Sequence, residues 1–264
     1  MDNVTHTLVG VCLANAFYRR RFDRAAVPIL AVASNLPDLD AAVVLSGDAR
    51  SVLMRRTFGH SLLLLPLWII LLALILRHFY PRLRLAPILG MCALGAGVHL
   101  LFDLVNSFGV VLLWPLSDWR PELATVFILD LYLTTLLALP LLLCAARSRR
   151  ARLERFSRVS LLAVGVYLLC CMGSRLLAER ALAREAQSLH PRPEFAYVFP
   201  EPLGPHRWRG VLRVGNTYHL YLIHSFSGRI EPRGEAPNST QPSSSASRVA
   251  PVSATAYSMT RRST

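Results

Sequence analysis

"APILGMCALGAGVHLLFDLVNSFGVVLL", residues 86–113, is apolar over a length that suits a lipid bilayer. A membrane-crossing helix takes about 20 apolar residues, so this stretch reads as a transmembrane segment. It nevertheless holds His99 and Asp103, four positions apart. Positions i and i+4 share one face of a helix. Gly95, His99, Asp103 and Asn106 therefore line up as one stripe on a surface otherwise made of Leu, Val and Phe. An aspartate at mid-membrane costs about 2.5–3.5 kcal/mol on insertion scales, and it persists where it is paired, solvated or bound to metal.

The rest of the chain agrees with a membrane setting. Of 264 residues, 53% are hydrophobic and only 17% charged, yet the formal net charge is +13. The mean hydropathy is +0.39. The positive excess is arginine in short clusters between apolar runs, as expected of cytoplasmic anchoring loops. A nucleic-acid-binding protein is also basic, but its charge is not interleaved with long uncharged runs, so no direct nucleic-acid binding is expected. The five cysteines all lie in apolar segments and read as small packing residues, without a disulfide framework. The start, "MDNVTH", is acidic where a signal peptide needs positive charge, so no cleavable leader is expected.

Apolar segments recur at roughly 3–18, 27–45, 61–76, 86–113, 123–146 and 159–178. The first is short for a crossing, and the second is broken by Pro37 and carries Asp38 and Asp40. If all six cross, one side receives Arg19, Arg20, Arg21 and Arg24, then Arg77, Arg82 and Arg84, then the cluster from Arg147 to Arg158. The opposite side holds Arg50, Arg55, Arg56 and Arg120. The richer side is the cytoplasmic one by the positive-inside rule. Residues 179–194 look like an arginine-bearing helix, and "RWRGVLRVGNTYHLYLIHSF" (207–226) reads as two strands around Gly215-Asn216. The Ser-, Pro- and Thr-rich end reads as disordered. The expected architecture is an all-α integral membrane bundle of about four to six transmembrane helices over 1–180. A small extracytoplasmic α+β appendage with a β-hairpin follows over 181–231, then a disordered tail over 232–264.

The intramembrane acids and imidazoles repeat one theme. "MDNVTHTLVG" sets Asp2 and His6 four apart, with Gly10 below them on the same side. "SNLPDLD" offers Asn35, Asp38 and Asp40 around a proline whose freed backbone groups need protein or water beside them. "RRTFGHSLL" puts His60 at the mouth of the third segment, and Asp130 lies within the first two turns of the fifth. In the six-segment topology all of these groups fall at a similar depth near the outer face. Asp118 and Glu122 sit in a loop and read as solvated or helix-capping, and the remaining histidines as surface or structural residues.

Three histidines and several carboxylates at one level have the composition of a metal site, suited to a divalent transition metal such as Zn or Mn. With this many acids, one or two ions fit. The expected ligands are His6, Asp38, His60, His99 and Asp103, with Asp40 or Asp130 as orienter or general base. Such an ion activates water and polarises a phosphoryl or carbonyl oxygen. That chemistry points to a membrane-bound hydrolase acting on a phosphoester or lipid-linked substrate. Intramembrane ionisable residues also line transport routes, so a transporter or ion pathway is the alternative.

The same stretches, "MDNVTHTLVG", "NLPDLD", "GHSLLL" and "GVHLLFDLVNSFGVVLLWPLS", resemble the YdjM-like family of bacterial inner-membrane proteins over about residues 1–140. That family is described both as metal-dependent hydrolases and as LexA-binding membrane proteins. The resemblance implies a multi-pass inner-membrane location and a LexA-like protein partner as a further alternative function. By it, His6, Asp38, Asp40, His60, His99 and Asp103 match the family's polar motif positions, and Asp2 matches the acid before the first Thr-His. Where members often show His-Arg-x-x-Thr-His-Ser, this chain has Arg55 for the first histidine and Gly59 for the threonine. Either a ligand is missing or this subgroup binds a single ion.

Overall fold

The structure, a computed structural model, describes residues 1–46, 55–145 and 150–237. Helix α1 (Asn3–Leu13) starts at Asp2, whose carboxylate accepts the Thr5 N–H at 3.0 Å and the Thr5 hydroxyl at 2.7 Å. This is an N-cap that satisfies a free amide of the first turn. The chain continues through a wide π-turn, Ala14–Tyr18, into the short α2 (Arg19–Phe22). It then turns back as α3 (Ala26–Ala33). After Pro37 a 3-10 stretch, Pro37–Ser46, carries Asp38 and Asp40. Helix α4 (Leu65–Phe79) and helix α5 (Leu85–Val105) follow.

Two glycines set how tightly these helices meet. A Cβ on Gly10 of α1 would stand 2.6 Å from the Leu30 carbonyl oxygen of α3, and one on Gly95 of α5 would stand 2.7 Å from Ala33. Both glycines lie one turn from a histidine on the same face, His6 and His99. Backbone contact at α3 therefore draws those two imidazoles together.

Several apolar segments stop earlier than their composition suggests. The 86–113 segment is helical only to Val105. Asn106 is extended, its side chain accepts the Phe108 N–H at 2.8 Å, and Gly109 takes φ +64°. The chain from 106 to 126 then folds back over residues 55–62, with Val111 donating to the Arg56 carbonyl at 3.0 Å and Leu62 to the Leu112 carbonyl at 2.9 Å. The 123–146 segment becomes helical only as α6 (Leu131–Ala145), capped by Asp130. The 27–45 segment contributes only the eight residues of α3 before Ser34 and Pro37 interrupt it.

Among the described residues, two helices are long and apolar enough to cross a bilayer: α5, and Arg152–Ser188 of α7 (Arg150–Ser188). The expected four to six crossings are thus not met by helix length. At about 1.5 Å per residue, α4 and α6 each reach only about 22 Å. Exposed leucines, isoleucines and valines nevertheless cover the lipid-facing sides of α4, α6 and α7, Leu162 being 70% exposed. Apolar surface of this extent is not left to water.

The two ends of the helical region differ. Arg20 pairs with Glu154 at 2.5 Å, and Arg158 donates to the Ala16 carbonyl at 3.0 Å. The end of α1 and the start of α7 thus share one basic end. The start of α1, the end of α5 and the start of α6 meet at the other, where the Thr5 and Thr134 hydroxyls lie 3.0 Å apart.

Helix α7 runs unbroken beyond the apolar region and carries a four-stranded antiparallel meander: β1 (Phe195–Pro200), β2 (Arg207–Val214), β3 (Thr217–His224) and β4 (Arg229–Pro237). The hairpin around Gly215-Asn216 joins β2 to β3, with Val214 opposite Thr217. Val198, Trp208, Leu212, Tyr221 and Ile223 bury one face of the sheet against Ala178, Ala181 and Leu182 of α7. Residues 232–237, expected to be disordered, form part of β4. The rest of that expected tail, 238–264, lies outside the described residues.

Candidate metal centre

The polar groups converge at the end of the molecule opposite the basic one. His99 and Asp103 project from the last two turns of α5, Asp38 and Asp40 from the 3-10 stretch, and His60 from the turn before α4. One donor atom from each of Asp38, His60, His99 and Asp103 lies within 4.8 Å of the others. His60 Nε2 and His99 Nε2 are 3.2 Å apart. Asp103 Oδ2 stands 3.2 Å from the first and 3.6 Å from the second. Asp38 Oδ1 is 3.8 Å from both. Bonds of about 2.0–2.1 Å in a tetrahedral site place ligand atoms about 3.3 Å apart. The three closest donors match that edge, and Asp38 lies slightly beyond it.

The remaining ring nitrogens decide which lone pairs face inward. His99 Nδ1 is 2.7 Å from the Ser34 carbonyl, which only accepts, so Nδ1 carries the proton. His60 Nδ1 is 2.9 Å from Asp40 Oδ2, which also accepts the Thr57 N–H at 3.0 Å. In the neutral rings both Nε2 atoms then present lone pairs to each other. A pair of bare nitrogens at that distance repels unless a cation or proton lies between them. Outer hydrogen bonds that leave Nε2 free are the usual way a protein orients ligating imidazoles.

Asp103 is the hub. Besides His60 and His99, it receives Arg56 through Nε at 3.1 Å and Nη2 at 3.3 Å, His6 Nε2 at 3.2 Å, and the Met1 ammonium. His6 also stacks on His99, centroid to centroid at 3.7 Å. Of the residues expected as ligands, His6 therefore sits against the far oxygen of Asp103 rather than in the four-residue group. Asp40 lies behind His60. Asp130 is separate: its Oδ1 caps α6 through the Leu133 N–H at 2.9 Å, and its Oδ2 accepts the Tyr167 hydroxyl at 2.7 Å. Its expected part as orienter or base has no geometry here, because both oxygens are held by α6 and α7. Asp118 is exposed, and Glu122 accepts the Tyr197 hydroxyl.

Arg56 is the site residue that reading the sequence missed, since it stood there only as a loop charge. It is buried, takes φ +61°, and also donates from Nη1 to Asn106 Oδ1 at 3.0 Å. It lies in a turn, where spacing from His60 reports no shared face, so the neighbouring sequence carried no signal for it. Arg55, in the place of the family's first histidine, is exposed.

Residues 1–178 match the family described as "YdjM inner membrane protein". The chain belongs to that family. The match takes in every residue of the four-residue group and ends on α7, before the sheet. A curated relative in Bacillus subtilis (strain 168), "Uncharacterized protein YfhP", is 23% identical over 240 residues, covering 87% of this chain and 70% of its own length. No solved structure matches the chain. As a family member with two helices fit to cross a bilayer, the protein is a membrane protein carrying a buried His/Asp cluster able to hold a metal ion.

Proposed function

We propose that the protein is a multi-pass inner-membrane hydrolase whose metal centre is held by His60, His99 and Asp103, with Asp38 at its open side. The observation that carries this reading is the facing pair of Nε2 atoms, 3.2 Å apart, each freed by an acceptor on its own Nδ1. Two imidazoles with carboxylates suit Zn or Mn. When bound, such an ion lends Lewis acidity to a phosphoryl or carbonyl oxygen and acidifies water. Three close donors leave a position free, as catalytic sites require.

The chain's own groups divide the remaining work. Asp40 and the Ser34 carbonyl fix the tautomers of the two histidines. Asp38, the least buried of the four, stands 3.8 Å from both rings and serves as the base that takes a proton from the attacking water. Arg56 places a fixed positive charge beside Asp103, where negative charge develops on a phosphoester in the transition state. Leu39 and Phe108, both more than half exposed, flank the site beside Asp38 and over the Arg56 guanidinium. An apolar rim around an anion-binding centre favours a lipid-linked phosphoester. The basic end is cytoplasmic by the positive-inside rule, so the site opens on the opposite side of the membrane. A transport route is disfavoured, because the buried face of α5 toward its start is Ile88, Met91, Cys92 and Ala96.

The test is metal content and phosphatase activity of the detergent-purified protein, on a lipid phosphate and on a soluble phosphoester. One bound transition ion and preferential cleavage of the lipid substrate are expected, both lost in a His99→Ala/Asp103→Ala variant. Wild-type protein that binds no metal, or a variant that cleaves as well as wild type, overturns the reading.

A further inference from the structure

The exposed apolar band of α7 runs from Phe156 to Leu177, and Ser174 lies within its last turns. Ser174 is also the point at which the sheet is fastened. Its hydroxyl contacts the Pro205 carbonyl, meets Ser225 Oγ at 2.8 Å, and accepts Trp208 Nε1 at 2.8 Å. The loop between β1 and β2 and the turn between β3 and β4 are therefore held at the rim of the lipid-facing band. Each presents a large apolar side chain outward: Leu203 is 51% and Phe226 69% exposed.

Cations gather at the same end. Arg207 opens β2 and Arg229 opens β4, both paired in register with His224. With Arg209 and Arg233, Arg207 walls a groove of about 430 Å³ over Leu220 and Leu222. The carboxylates present are already engaged. Glu201 holds Arg209 at 2.8 Å, and Glu231 is shared by Arg229 at 3.2 Å and Arg233 at 3.4 Å. Arg207 has no such partner: its Nε is buried and makes no hydrogen bond among the described residues. The side chain is half-buried, with only Nε shut off from water, and the planar fork of its guanidinium matches phosphate oxygens.

We propose that this end of the sheet is a binding site for the headgroup of an anionic phospholipid. Leu203 and Phe226 enter the acyl boundary, and Arg207 takes the phosphate, with the neighbouring arginines adding field. The site is separate from the metal centre and holds whether or not the protein is a hydrolase. A basic, apolar-tipped surface at this depth is what binds anionic interfaces.

The full chain is reconstituted in nanodiscs of zwitterionic lipid alone or with an anionic phospholipid added, and backbone amide exchange is followed by mass spectrometry. Amides of 202–208 and 224–229 should exchange about fivefold more slowly with the anionic lipid, the effect of roughly one well-placed arginine. High salt should abolish the difference. Arg207→Gln should remove it, and Phe226→Ser should raise exchange at 224–229 in both lipids, while Tyr221–Ile223 stay protected. If a variant loses protection at Tyr221–Ile223 it has misfolded, and the wild-type salt dependence decides instead. Equal wild-type exchange in the two lipids, a difference that survives high salt, or a folded Arg207→Gln protein that keeps the difference overturns the proposal.

Discussion

Gly59 backs directly onto Pro37: a Cβ on the glycine would stand 2.0 Å from the Pro37 carbonyl oxygen and 3.2 Å from Asp40 Oδ2. That contact presses the turn bearing His60 against the stretch bearing Asp38 and Asp40. Gly59→Ala must push Pro37 aside and carry both acids with it. Metal affinity should fall by at least about tenfold, the usual result of disturbing outer-shell geometry. Chelator competition on the purified protein measures it, and unchanged affinity would show that the contact does not position the acids.

Asp40→Asn keeps size and an acceptor for the Thr57 N–H but removes the charge behind His60 Nδ1. Affinity for a transition ion should drop about 10–100-fold with the fold intact. Asp40→Glu, whose carboxylate is displaced by a methylene, should not restore it. The readout is the ion retained after dialysis, set against unaltered amide protection in α5.

Metal should couple to stability through the cluster and not through Asp130. An ion present at about 100 times its Kd stabilises by about 2.7 kcal/mol. Chelation should therefore lower the Tm of wild type, but not of His99→Ala. Asp130→Ala should lose about 2–4 kcal/mol, about 1 from its missing N-cap and the rest from the Tyr167 hydroxyl left without its acceptor, while retaining full metal content. Metal loss in Asp130→Ala would mean that α6 reaches the site after all.

The Tyr197 hydroxyl donates to Glu122 and ties the sheet to the loop before α6. Burial first, then the adjacent carboxylate, pushes the phenol above its usual range. A raised folded-state pKa means that the contact's stabilisation is complete below the unfolded value, about 10, and is lost as pH rises through the folded one. Wild type should thus destabilise progressively above about pH 10, and Tyr197→Phe should show a shallower alkaline limb. Identical alkaline melting curves for the two proteins would exclude this anchor.

What could be read in the residues follows from what side-chain spacing controls. The four-residue step from His99 to Asp103 reports a shared helical face, and both groups are buried on that face of α5. The Pro37 break and the Gly215-Asn216 turn are likewise local features. Helix length was misread because apolar composition continues past the point where the backbone stops. At Asn106 the stop is made by a side-chain hydrogen bond and a left-handed glycine rather than by any drop in hydropathy. Arg56 was overlooked for the opposite reason: its partner Asp103 is 47 residues away, so nothing adjacent distinguished it from an anchoring charge. β4, "RIEPRGEAP", is polar and proline-bearing, as edge strands often are. In sequence it is indistinguishable from a tail.

Because α7 passes without interruption from the lipid-facing band into the floor of the sheet, the four strands own only half of their interior. Ala178, Ala181 and Leu182 supply the other half. A fragment begun after residue 188 would leave the indole of Trp208 and the side chain of Ile223 bare, and should aggregate when expressed alone. A soluble version for crystallisation must retain the upper turns of that helix, so the practical cutting point lies below Ser174, inside the apolar stretch, where a detergent will still be needed.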